Sequence, residues 1–264
     1  MVGDDGPVPE GDAVRRTAAR LDAALAGAVL VRSDLRVPRY ALVDLRGMTV
    51  VGTAVHGKHM LTRLSDQRRS WTLHHHLRMD GAWWTGPPGR LPGPQHQVRV
   101  LLASDDSQAV GLRVHMVQVL PSDQEHVWVG HLGPDILGDG FDSEAAAGIL
   151  RTADRPLVEA LLEQRLVSGL GTMWAAELAS EAGVHPTTPT SQVGALADAL
   201  ARIATRMRRA VLADRPRQQR AELRVFERTG RPCAVCGAPI RTMRVGAAPV
   251  DRPTYWCPGC QSGR

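Results

Sequence analysis

The apolar pattern of this chain changes period once along its length, and that change restricts it to a fold with two differently built parts. VLVRSDL, RYALVDL, MTVVGTAV, HMLTRL, SWTLHHHL, VRVLLA, VGLRVHMVQVL and HVWVG follow one another between Val29 and Gly130, separated by Gly, Pro and Asp. Short β-branched or alternating runs of this kind predict antiparallel strands in a sandwich or barrel. After HLGPDILGDGFD the spacing becomes helical, through RPLVEALLEQRL, VSGLGTMWAAELASEAGVHP and a long helix across VGALADALARIATRMRRAVLAD that ends near Arg217. Pro156 suits the first position of one of these helices. A further helix is predicted ahead of the strands, between Pro9 and Leu25, where Val14, Ala18, Leu21 and Leu25 recur at helical spacing and Glu10 and Asp12 lie near the N-terminus.

All four cysteines crowd into the C-terminal segment as Cys233-x2-Cys236 and Cys257-x2-Cys260. Two thiolate pairs at this spacing suit a tetrahedral structural zinc on a β-hairpin, in preference to free thiols or a redox pair. Four cysteines close the tetrahedron and leave no open position for catalysis. Arg241, Arg244 and Arg252 lie between the pairs and would ride on the hairpin, where guanidinium groups can meet phosphate.

Charge is distributed unevenly. Residues 202–264 hold 14 Arg against Asp214, Glu222, Glu227 and Asp251, a net +10 that leaves −5 on the rest of the chain. A basic block on a mildly acidic body fits a polyanionic partner, since each Arg that neutralises a phosphate releases a counterion; the alternative is a solubilising surface. Among 32 basic side chains only Lys58 is a lysine, and asparagine is absent, a bias expected of a GC-rich genome. With 264 residues and 43% hydrophobic content the chain can bury a real core. It shows neither a signal peptide nor the ~20 apolar residues that span a bilayer, so a cytoplasmic location without membrane attachment is expected.

Other stretches constrain less. Gly169-Leu170-Gly171-Thr172 opens an Ala-rich helix whose N-terminus can bind phosphate, although glycine between helices also serves as a C-cap or packing residue. His74, His75 and His76 are consecutive in a strand, face opposite sides and cannot all converge on one ion, so they read as structural or hydrogen-bonding residues. Trp83 and Trp84 read as packing residues, while Met79 in HLRMDG is placed to reach outward.

Taken together and in order, PEGD, GKHM, HLRMDGAW, HLGPDIL, VSGLGTMWAAELASEAGVHP and the pair RPCAVCGAPI and RPTYWCPGCQ resemble the motifs of the formamidopyrimidine-DNA glycosylase and endonuclease VIII family. RMDG and HLGPDIL look closer to the endonuclease VIII branch, including its actinobacterial members, which implies oxidised pyrimidines as substrates. The resemblance implies an α+β multidomain fold: an N-terminal antiparallel β-sandwich with an N-terminal helix, a helix-two-turns-helix domain and a β-hairpin zinc finger. Applied to this chain, it divides residues 9–125, 126–142 as linker, 143–225 and 226–264, with 1–8 as a non-native or disordered extension.

The same resemblance implies that Pro9 is a nucleophile forming a Schiff base at C1′ of a damaged nucleotide, that Glu10 moves protons, and that Lys58 acts as acid or electrostatic partner. It implies phosphate contacts from Gly171, Thr172 and Arg252, and Arg78 and Met79 as a wedge filling the stack vacated by the extruded nucleotide. The implied partner is damaged double-stranded DNA bound by a monomer, and the implied metal is one structural zinc on Cys233, Cys236, Cys257 and Cys260. Thr172 departs from the family's asparagine and should weaken that contact. Pro9 departs more seriously, because eight residues precede it and an internal proline nitrogen is a planar amide without a free lone pair. Val8 encoded by GTG, a start codon read as methionine, would restore Pro9 as the first residue; a genuine extension would instead leave a non-catalytic protein that binds damaged DNA or abasic sites.

Overall fold

The computed structural model describes residues 9–213 and 223–262, and these divide into two compact units that meet in sequence between His131 and Leu132. The first unit opens with α1 (Gly11–Leu25), whose buried face carries Val14, Ala18, Leu21 and Leu25. Eight strands follow: β1 (Arg32–Leu35), β2 (Thr49–His56), β3 (His59–Ser65), β4 (Ser70–His76), β5 (Ala82–Gly86), β6 (Val98–Ala103), β7 (Gln108–Leu112) and β8 (Met116–Pro121). They form two antiparallel four-stranded sheets, ordered β1-β6-β7-β5 and β2-β3-β4-β8. One core joins the sheets and the helix, with Val50, Met60, Leu64 and Leu73 from one sheet, Val100, Leu102 and Ala109 from the other, and Val14 and Leu21 from α1. This is the expected sandwich, held by burial of both inner faces.

Three of the predicted strands differ. RYALVDL forms a 3-10 turn at Pro38–Tyr40 followed by turns, because Pro38 has a fixed φ and no N–H to add to a ladder, and Leu42 is left fully exposed. HVWVG is a short helix, α2 (His126–Val129), whose Trp128 covers the His74 ring at 5.6 Å instead of extending a sheet. VGLRVHMVQVL is two strands, split where Arg113 turns the chain with φ +50. AWWTG, by contrast, is a full strand: Trp83 is buried and its indole N–H donates to His75 Nδ1 at 3.1 Å.

The second unit is built from α3 (Ser143–Ala153), α4 (Leu157–Leu162), α5 (Thr172–Ala182), α6 (Leu196–Leu212) and the hairpin β9 (Arg241–Val245) and β10 (Arg252–Trp256). Asp142 caps α3 by accepting from the N–H groups of Glu144 and Ala145. Pro156 sits one position earlier than expected, as the N-cap of α4. The predicted helix end near Arg217 lies outside the described residues. Trp174, Leu178, Leu200, Ile203 and Met207 pack where α5 meets α6, and Val245 of the hairpin joins the same core.

Glu177, on the buried side of α5 and 0% exposed, organises the junction to the hairpin. Its carboxylate accepts from Arg206 Nη2 at 2.8 Å, from the N–H of Arg224 and Val225 at 2.9 Å, and from that of Phe226 at 3.1 Å. Glu177→Ala would strand these donors and a nearly buried guanidinium, so we expect a loss of about 3 kcal/mol or more. Urea unfolding of the variant measures it, and a loss within about 0.5 kcal/mol, the range of an ordinary surface substitution, would refute the assignment.

Candidate active site and nucleic-acid interface

The functional side chains expected from the sequence fall into two sets, one in each unit. In the first unit Pro9 is buried and Glu10, 2% exposed, is the extended N-cap residue of α1. The helix packs against β2 and β3 and is tied there by Asp22, whose Oδ1 accepts from the Thr53 N–H at 2.6 Å. That amide faces the helix because β2 bulges between Val50 and Gly52, and Gly52 takes φ +154. The same hairpin carries Lys58, half-buried in the β2–β3 turn after Gly57, which has φ +59.

Histidines crowd the strands that continue from this turn, and their alternation is visible in the contacts. His75 points into the core, within 3.1 Å of Thr62 Oγ1 and of the Trp83 indole. His74 and His76 face the other way with His59, whose Nδ1 lies 2.8 Å from His74 Nε2; the two rings stack with centroids 5.1 Å apart. His76 meets His59 edge to face at 5.0 Å. Burial pushes His75 down to about 3, with the neighbouring His74 and His76 adding to it. Burial also takes His59 to about 3, and takes His76 to about 4 with help from the positive charges of Arg78 and Lys58. This histidine face was missed from the sequence except as structural residues, and among the described residues only the four cysteines group closely enough to hold a metal.

The loop between β4 and β5 is held at both ends. Arg78 has φ +57, and its N–H donates to His76 Nδ1 at 2.9 Å. Gly81 N–H returns to the Leu77 carbonyl at 2.9 Å, and a Cβ on Gly81 would stand 2.4 Å from that oxygen. Asp80 joins the loop to the turn after β7, accepting from His115 Nε2 at 2.9 Å and lying 3.4 Å from Arg113 Nε. Met79, at the tip, is 65% exposed. The structure therefore brings Lys58, His76 and Arg78 together and leaves Met79 projecting. Arg113, Asp80 and His115 were missed from the sequence, where the only signal was an arginine interrupting an apolar run.

In the second unit Gly171 is the N-cap of α5 and Thr172 its first residue, so the N-terminal amides and dipole of that helix sit at the residues expected to contact phosphate. Gly169 is required by the turn itself, with φ +98, and Gln164 braces it by accepting from its N–H and donating to the Leu170 carbonyl. The four cysteine sulfurs lie within 4.8 Å of one another, with Cys233 and Cys260 at 3.8 Å and Cys236 and Cys257 at 3.4 Å. A tetrahedron of thiolates at a metal–sulfur distance of ~2.3 Å has edges of about 3.8 Å, so the cluster fits a metal ion. Burial would raise the Cys233 thiol, but the backbone N–H groups of Cys236 and Val235 hold it at about 7. Cys260 is pushed up to about 12, first by its hydrogen bond with Cys236 and then by burial. Arg252 is exposed at the start of β10, while Arg244 is engaged by Asp251.

Two family domains match this geometry in order: the formamidopyrimidine-DNA glycosylase N-terminal domain over residues 8–115 and its H2TH domain, the helix-two-turns-helix, over residues 132–219. The chain belongs to the formamidopyrimidine-DNA glycosylase and endonuclease 8 family. It is 45% identical to a probable endonuclease 8 2 of Streptomyces coelicolor over 97% of this chain and 95% of that one. It is 40% identical to a DNA-(apurinic or apyrimidinic site) lyase of Mycolicibacterium smegmatis over 97% and 99%. The glycosylase of Lactococcus lactis, solved in complex with DNA containing an abasic site, superposes with a TM-score of 0.81 at 25% identity over 96% and 100%. The α+β fold expected from the motifs is thus that of the family, and no described helix is long and apolar enough to cross a membrane.

We expect the histidine face to make the first unit of this family member sensitive to acid. The folded values lie below the ordinary 6.5, so on acidification the unfolded chain takes up protons first. Stability present above that value is then lost as pH falls toward 3 to 4, at about 1.4 kcal/mol per pH unit for fully buried His75 alone. Urea midpoints followed by tryptophan fluorescence should fall between pH 7 and pH 5; a constant midpoint would show that these rings take up protons alike in the folded and unfolded chain.

Proposed function

We propose that this protein removes oxidised bases, pyrimidines above all, from double-stranded DNA and then cleaves the strand at the abasic site. The observation that carries this reading is the Pro9-Glu10 pair opening α1 at the place where the family's N-terminal domain begins to match. In the reaction a proline amine attacks C1′, the bond from C1′ to the base breaks, and the base leaves protonated. Cleavage of the C1′–O4′ bond, with a proton delivered to O4′, then opens the sugar and gives an iminium; this acidifies C2′, so loss of a C2′ proton and rupture of the 3′ carbon–oxygen bond, with the 3′ phosphate leaving, cut the strand. Glu10 carries protons during ring opening and elimination, a role supported by its place beside Pro9. Lys58 supplies positive charge to the sugar and its phosphate, supported by its position in the turn that meets His76.

Residues 132–262 are read as the phosphate-binding half. Gly171 and Thr172 offer a helix N-terminus, and Arg252 offers a guanidinium on the hairpin. Cys233, Cys236, Cys257 and Cys260 would hold one zinc, which a set of four thiolates selects, and that zinc fixes the hairpin carrying Arg252. Arg78 and Met79 are read as the wedge, supported by the outward Met79 and the braced turn beneath it. The protein is read as acting as a monomer at chromosomal DNA.

This chemistry requires Pro9 to carry a free secondary amine, so the active form is proposed to begin at Pro9 after an initiator methionine read from the Val8 codon. Two forms of the protein, one opening at Met1 and one at Pro9, should be incubated with abasic-site duplex and borohydride. The Pro9 form should give a covalent adduct and the longer form should not. A Pro9 form that binds the duplex without trapping would leave a non-catalytic lesion-binding protein and end the enzyme reading.

For Arg252→Ala, binding to all duplex sequences should weaken alike, and the slope of log affinity against log salt should shrink by about 0.9, the value of one phosphate contact. An unchanged slope would remove Arg252 from the interface.

A further inference from the structure

We propose that His76 is a positioning residue for the wedge: as the neutral ring with its proton on Nε2, it accepts the Arg78 N–H and holds Arg78 in the left-handed turn that presents Met79. This rests on the reading of Arg78 and Met79 as the wedge. Arg78 is a non-glycine residue at φ +57, a conformation that a side chain disfavours and that the surroundings must enforce. The enforcing contact is the 2.9 Å hydrogen bond from its N–H to His76 Nδ1. An acceptor at Nδ1 leaves the ring proton at Nε2, so the backbone of the wedge dictates the tautomer of the histidine.

The ring is itself locked from behind. His59 meets it edge to face, stacks on His74, and lies 2.8 Å from His74 Nε2, while His74 Nδ1 lies 3.4 Å from Gln118 Oε1. The titratable and charged groups around His76 are His59 on β3, Lys58 in the preceding turn, His74 on its own strand and Arg78 ahead of it; β8 offers uncharged Met116 at the paired position. Every charge in that set is positive or neutral, and burial acts in the same direction, so the ring stays an acceptor until about pH 4. Protonation would replace the acceptor with a second N–H facing the Arg78 amide and release the turn.

The test uses the Pro9 form with a duplex carrying a tetrahydrofuran abasic analogue opposite 2-aminopurine, whose fluorescence reports wedge insertion. His76→Ala should reduce the inserted population roughly tenfold, the scale of one lost hydrogen bond together with its strained turn. His76→Asn, whose amide oxygen can accept the N–H two residues on, should retain most of the signal. In an Arg78→Gly background, where positive φ costs little, His76→Ala should have a much smaller effect. Acidification through pH 4 should diminish insertion by the wild type more steeply than by His76→Asn, which cannot titrate. The inference is overturned if His76→Ala inserts like the wild type, or if His76→Asn fails as badly as His76→Ala. Borohydride trapping by the wild-type protein on a natural abasic site separates the two failures: absent trapping ends the enzyme reading, and trapping with unchanged insertion in His76→Ala ends only this one. If His76→Ala does not fold, as judged by circular dichroism, the asparagine variant and the acid profile decide.

Discussion

A single buried carboxylate joins the helical bundle to the cysteine-bearing hairpin. Glu177 gives up its hydration to sit inside α5, and that cost is offset only because four donors converge on it, three of them consecutive backbone amides at 224–226. The chain just ahead of the cysteines is thereby fixed against the helix whose N-terminus holds Gly171 and Thr172. Ala176, Val225, Ile240 and Cys257 close a small core beside it, and buried Gln261 ties the last cysteine pair to the Val184 carbonyl. The hairpin therefore has two supports, a metal-sized thiolate cluster at one end and a hydrogen-bonded seat at the other.

The first unit solves a different problem. Its sandwich buries both inner faces in the ordinary way, but the outer face of β3 and β4 carries histidines in place of lysines or glutamates. Packed ring on ring, they remain uncharged at neutral pH and can lie close together without repulsion. Arg63 reaches from the same sheet to Glu125 in a two-pronged ion pair, 2.9 and 2.8 Å, and Thr72 adds a third contact to that carboxylate. These contacts, with Trp128 over His74, hold the segment 122–129 on the sheet. That is the physical reason HVWVG curls into a helical turn when its composition suits a strand.

Much of the candidate site was legible because motif chemistry is local. Pro9, Glu10, Lys58, Met79, Gly171 and the cysteines each lie in a short stretch whose residue types announce a task. What escaped was the support beneath them. Asp22 meeting Thr53 beside the bulge spans 31 residues, Asp80 meeting His115 spans 35, and Glu177 meeting Phe226 spans 49. No periodicity or spacing encodes such pairs, since each depends on two elements having already been brought together. The same holds for RYALVDL, which has the composition of a strand but follows Pro38, a residue with no N–H to give to a ladder.

The sequence by itself determined the two-part architecture, the four-cysteine cluster, the helix starting at the Pro9-Glu10 pair and membership of a DNA-repair family, because these follow from period, spacing and ordered motifs. Only the tertiary structure decided which face each histidine takes, which tautomer His76 adopts, how Arg78 is held at positive φ, and where the buried Glu177 finds its donors. Those outcomes depend on desolvation and on hydrogen-bond partners far apart in the chain, and both come into being only when the chain has folded.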